Sequence, residues 1–68
     1  MKNDFKFESN GFDYKAEFEG LYKSAGRTEK AFHFYRKVGG AWLYQGCIGF
    51  PEKFTRKQIV ESAVNDLL

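Results

Sequence analysis

Two dipeptides set the frame of this chain. Asn10-Gly11 and Gly39-Gly40 each separate two runs in which apolar and polar residues alternate. Both central positions of a type I′ turn need positive φ, which Asn and Gly adopt most readily, and the twist of that turn matches the twist of paired strands. Each dipeptide therefore predicts a tight hairpin and fixes which residues face one another across it. Around Asn10-Gly11, strands over 5–8 and 12–19 place Phe7 opposite Tyr14 and Phe5 opposite Ala16. Lys6, Glu8, Asp13, Lys15 and Glu17 then point to the other face, where Lys6 opposes Lys15 and Glu8 opposes Asp13, each an unfavourable like-charge pair.

Gly20 interrupts the second strand, which continues through Leu21-Tyr22-Lys23 past a bulge or bend, and a polar loop over 24–29 follows. A third strand runs over 30–38 and a fourth over 41–48. A two-residue turn at Gly39-Gly40 pairs Val38 with Ala41, Arg36 with Leu43, Phe34 with Gln45 and Phe32 with Cys47 on one face. Lys37 then meets Trp42, Tyr35 meets Tyr44, His33 meets Gly46 and Ala31 meets Ile48 on the other. A loop over 49–53 containing Pro51 ends the sheet, because proline has no N–H for a ladder. Thr55 is a good N-cap, Gln58 three residues later completes a capping box, and Phe54 and Ile59 have the spacing of a hydrophobic staple. Ile59, Val60, Ala63, Val64 and Leu67 recur at helical spacing, so a helix over 56–67 presents one apolar stripe to the sheet. The expected fold is α+β: a four-stranded antiparallel sheet of two hairpins with one C-terminal helix packed on one face, β-β-β-β-α.

Sixty-eight residues suffice for a single domain, 1–68, with one modest core. An aromatic fraction of 19% lets so short a chain bury enough surface to oppose its conformational entropy. Cys47 is the one cysteine, which excludes an internal disulfide and suits a reducing, cytoplasmic setting. No apolar run approaches the roughly 18–20 residues that span a bilayer, and the first residues lack the apolar segment of a signal peptide.

Chemistry is sparse in this sequence. One His and one Cys stand in no motif that joins either to a base or an acid, and the pairing above sends His33 and Cys47 to opposite faces, which disfavours a nucleophile pair. There is no C-x-x-C, no H-x-x-x-H and no acidic calcium loop, and the glycines lack the spacing of a phosphate-cradling loop. The expectation is a non-enzymatic protein with no cofactor, no metal and no small-molecule substrate.

Charge distribution says more than the formal net charge of +2. Residues 23–57 carry eight basic side chains against two acidic ones, while the segments on either side are net acidic. Arg56 and Lys57 stand in the first helical turn, where the helix dipole disfavours cations, and a partner's anion would find amides and cations together there. If the helix covers the face of Phe32, Phe34, Leu43 and Cys47, then His33, Tyr35, Lys37, Trp42 and Tyr44 look outward as a ring-bearing, basic platform. Rings of this kind stack on bases and anchor protein interfaces equally well. The expected partner-binding residues are Arg27, Lys30, Tyr35, Arg36, Lys37, Trp42, Tyr44, Lys53, Arg56 and Lys57.

This form, an aromatic-rich sheet with one helix in about 70 residues, resembles the small inhibitors encoded by phages and mobile elements, among them the anti-CRISPR proteins of type I surveillance complexes. The resemblance is one of architecture over the whole chain and carries no functional residue across. It implies an inhibitor that engages a nucleic-acid-handling protein complex or its nucleic acid in the cytoplasm of a host cell. A second resemblance is to the three-stranded DNA-reading domains of recombinases and plant transcription factors. From that resemblance follows a direct duplex-binding module, although the extra strand and the acidic outer face of the first hairpin depart from it. A small structural domain that dimerises through a strand edge is the third expectation.

Overall fold

A computed structural model describes residues 3–68. Four antiparallel strands form one open sheet in chain order, β1 (Phe5–Ser9), β2 (Phe12–Ser24), β3 (Arg27–Val38) and β4 (Ala41–Pro51), and α1 (Arg56–Asp66) follows. The α+β architecture read from the sequence is the one observed. The Asn10-Gly11 turn has positive φ at both residues, as does Gly39-Gly40. The first hairpin pairs as its turn requires, with Phe7 opposite Tyr14 and Phe5 opposite Ala16.

Three local expectations are corrected. The polar loop expected over 24–29 is instead a two-residue turn, with Ala25 at φ 51° and Gly26 at φ 77°, and the strands run up to it on both sides. The second correction concerns β4, which runs on to Pro51 and pairs it with Glu29. Pro51 is tolerated there because β4 is an edge strand. Third, the β3–β4 register shifts by one residue after Tyr35↔Tyr44. Phe34 faces Gly46 rather than Gln45, His33 faces Cys47, Phe32 faces Ile48 and Ala31 faces Gly49. Gly46, at φ 141°, absorbs the shift. One residue of slip exchanges the faces of a strand, so Cys47 joins His33 instead of the core.

Strands of 12–13 residues at about 3.3 Å each give a sheet about 40 Å long, and the longest extent of the molecule is 41 Å. An 11-residue helix spans only about 16 Å, so α1 covers the middle of one face and leaves both ends bare. Leu21 at one end, and Phe12, Val38 and Leu43 at the other, are more than 40% exposed for that reason. Leu43, expected in the core, is among them.

Beneath the helix, Ala16, Phe32, Phe34, Phe50, Ile59 and Ala63 form the buried cluster, with Phe5, Phe7, Phe18, Ile48, Phe54 and Leu67 against it. The rings meet edge to face, Phe34 with Phe7 and Phe50 at 6.4 and 6.1 Å, and Phe32 with Phe5 and Phe18 at 5.8 and 5.5 Å. Such edge contacts stabilise beyond the area they bury. The capping box forms as the sequence requires: Gln58 N donates to Thr55 Oγ1 and Thr55 N donates to Gln58 Oε1. At its other end the helix seats Leu67 on Gly46, where an added Cβ would stand 3.1 Å from Leu67 Cδ1.

Candidate binding face

The sheet face away from α1 carries the side chains that the core does not use. Its residues lie in rows across the strands: Glu8 with Asp13, Lys6 with Lys15, Tyr35 and Tyr44, and Glu17 with His33 and Cys47. Lys37 and Trp42 pair at the Gly39-Gly40 end. Three ammonium groups stand around the Trp42 indole, Lys15 at 5.0 Å, Lys37 at 5.7 Å and Lys6 at 5.9 Å from the ring centroid. Lys15 also lies 4.8 Å from the Tyr35 ring and pairs with Glu17 at 3.2 Å. The Lys6–Lys15 apposition, unfavourable as a bare pair, is accommodated because both cations share the negative π-face of Trp42. Tyr35 and Tyr44 meet edge to face at 5.4 Å, and Tyr44 is 55% exposed.

Of the residues read from sequence as partner contacts, Tyr35, Lys37, Trp42 and Tyr44 come together here. The others lie elsewhere. Lys30 Nζ donates to the Phe54 carbonyl at 2.6 Å and ties β3 to the start of the helix. The Arg36 guanidinium rests 4.7 Å from the Phe12 ring, and its Nε is buried with no hydrogen-bond partner. Arg56 lies over Phe5 at 5.2 Å, and Lys57 borders the shallow hollow between β1 and the helix. Arg27 and Lys53 line a hollow at the far end with Thr28, Glu29, Pro51 and Glu52. The basic segment of the sequence is thus divided between the two faces and the ends of the sheet. Lys6 and Lys15, which come from the net acidic first hairpin, complete the group around Trp42. The signal for them was the alternation of the first hairpin read together with the sheet order.

A second cluster occupies the centre of the same face. His33 Nε2 meets Glu19 Oε1, and His33 Nδ1 lies 2.9 Å from Tyr44 Oη. Tyr22 Oη donates to the other Glu19 oxygen at 2.5 Å. The Tyr22 and His33 hydrogen bonds hold the Glu19 carboxyl below the usual carboxylate range. Cys47 completes the group, with one ligand atom from each of Glu19, His33 and Cys47 all within 4.8 Å of one another. Burial and the neighbouring Glu19 push the Cys47 thiol up, which weakens it as a nucleophile in the metal-free protein. The pairing of His33 with Cys47 corrects the expectation that they lie on opposite faces.

No family model, curated protein or solved structure matches this chain.

Proposed function

We propose that this chain is a non-catalytic binding protein that docks the open face of its sheet on a protein component of a nucleic-acid-handling complex, as an inhibitor would. The observation that supports this reading is the Trp42 ring with Lys6, Lys15 and Lys37 around it. A half-exposed Trp is the side chain most able to anchor an interface, and cations beside it steer and orient an acidic partner. The surrounding charge favours a protein over a naked duplex. A duplex presents a phosphate about every 3.4 Å along each strand, and a basic track that follows it must be continuous. Here Glu8 and Asp13 lie on one side of the lysine row and Glu17 on the other. A short basic island bounded by acids fits the mixed charge of a protein surface.

The architectural resemblance to anti-CRISPR inhibitors makes type I surveillance complexes the first partners to test. The purified chain is titrated against a panel of these complexes loaded with guide RNA, and against duplex and single-stranded DNA alone, at two salt concentrations. The reading predicts saturable binding to a complex and weak, steeply salt-dependent association with either DNA. Tight binding to duplex DNA alone would overturn it in favour of direct DNA recognition, and failure to bind any complex would remove the inhibitor reading.

A further inference from the structure

Glu19, His33 and Cys47 come from three adjacent strands, and two of them reach the cluster through breaks in the sheet ladder. The β2–β3 register shifts between Phe18 and Gly20, which makes Glu19 the bulged residue. The β3–β4 register shifts at Phe34 and Tyr35, which turns Cys47 toward His33. Bulges re-aim side chains and are frequent beside functional sites. Two of them, on the two strands that flank His33, bring Glu19 and Cys47 to that one imidazole.

We propose that Glu19, His33 and Cys47 form a binding site for a divalent transition metal of the zinc class, with water in the fourth position. The donor set is mixed: a sulfur, an imidazole nitrogen and a carboxylate oxygen. That combination suits zinc and is wrong for calcium or magnesium, which take oxygen ligands. Tetrahedral zinc with bonds of about 2.0–2.3 Å holds its ligand atoms about 3.4 Å apart. The donor atoms here lie within 4.8 Å of one another, with His33 Nε2 and Glu19 Oε1 in direct contact, so side-chain rotations that part Glu19 from His33 and bring the Cys47 sulfur inward, each by about 1 Å, complete the site without backbone movement.

The outer contacts match those of metal ligands. Tyr44 Oη holds His33 Nδ1, and Tyr22 Oη holds the Glu19 oxygen that does not meet His33. Ligating imidazoles and carboxylates are held by such partners, which fix their orientation. Because the Tyr44 hydroxyl donates or accepts equally well, His33 can carry its proton on Nδ1 and turn the Nε2 lone pair to the metal. Bound there, the ion joins β2, β3 and β4 at the point where both bulges interrupt the ladder.

The untagged chain, kept reduced and stripped with chelator, is titrated with Zn(II) against a chromogenic competitor and with Co(II) while absorbance is recorded. One equivalent of Zn(II) should bind, and Co(II) should give a thiolate-to-cobalt charge-transfer band. Cys47→Ser should abolish that band, and both Cys47→Ser and His33→Gln should weaken zinc binding at least tenfold while circular dichroism stays native. Tyr44→Phe, which touches no metal, should cost about tenfold or more. The native titration depends on no variant: absence of stoichiometric uptake overturns the site. Uptake that survives both Cys47→Ser and His33→Gln overturns it equally.

Discussion

Lys15 Nζ stands 5.0 Å from the Trp42 ring centroid although β3 lies between their strands, β2 and β4. A contact that spans three strands means that the rings and cations of the open face act as one surface. With Lys6 of β1 also over Trp42, all four strands contribute to it. Trp42 reaches this position without taking part in the core, which lies on the opposite face.

Trp42→Ala should therefore separate binding from folding. The residue is half-buried on an edge strand, and its truncation should cost about 1 kcal/mol of stability while weakening partner binding by about 2 kcal/mol or more. Phe34→Ala should do the opposite. Phe34 is fully buried, and its loss should cost about 3–5 kcal/mol, close to the whole stability of a domain this small, about 3–10 kcal/mol. Denaturant unfolding of both variants checks this, and equal destabilisation would contradict the division of faces.

Gly46→Ala should destabilise the fold by about 1–3 kcal/mol. Its φ of 141° is one that side-chain-bearing residues rarely adopt, and the added methyl would press on Leu67. Gly20→Ala, at an ordinary φ and with open space around its position, serves as the control and should change stability far less. Thermal unfolding of the two variants distinguishes a specific bulge requirement from a general glycine effect.

Ala25→Asn should stabilise. Ala25 sits at φ 51° as the first central residue of its hairpin turn, a conformation that costs an L-residue about 1–2 kcal/mol and costs Asn less. The gain should be about 0.5–1 kcal/mol, read as a higher denaturant midpoint. A lower midpoint would mean that the turn is not of this type.

Acid should loosen the sheet through two carboxyls. Asp4 Oδ1 accepts the Phe18 N–H at 2.8 Å, and this bond, the largest cause, holds the Asp4 carboxyl below its usual range. Glu19 is lowered by Tyr22 and His33. A carboxyl whose folded pKa lies below its unfolded value adds stability that is complete above the unfolded value and is lost as pH falls through the folded one. The thermal midpoint should therefore drop as pH falls from about 5 toward 3. Asp4→Asn should flatten part of that slope, and an unchanged slope would contradict the assignment.

Where turn chemistry and hydrophobic period agreed, the fold was legible in the sequence. Asn10-Gly11 fixed the register of β1 on β2, and Thr55 with Gln58 fixed the helix start. Ala25-Gly26 was not legible, because Ala carries no preference for positive φ and the polar residues around it resemble a loop. The β4 slip was hidden because a bulge adds one residue without changing composition, and Gly46 looks alike as a paired or a bulged glycine. That slip concealed the His33–Cys47 pairing. The Trp42 platform was visible from the alternation of β3 and β4. Lys6 and Lys15 escaped because charge summed along the chain assigns their segment to the acidic side, whereas the sheet order carries them to Trp42.

The most direct test compares two charge reversals in one binding assay with a guide-loaded surveillance complex. Lys6→Glu, Lys15→Glu and Lys37→Glu together alter the open face; Arg56→Glu and Lys57→Glu alter the helix side and place acids where the helix dipole favours them. The first set should abolish binding while the second retains native affinity. Native binding by the open-face triple variant, or loss confined to the helix-side pair, would contradict docking through the open face.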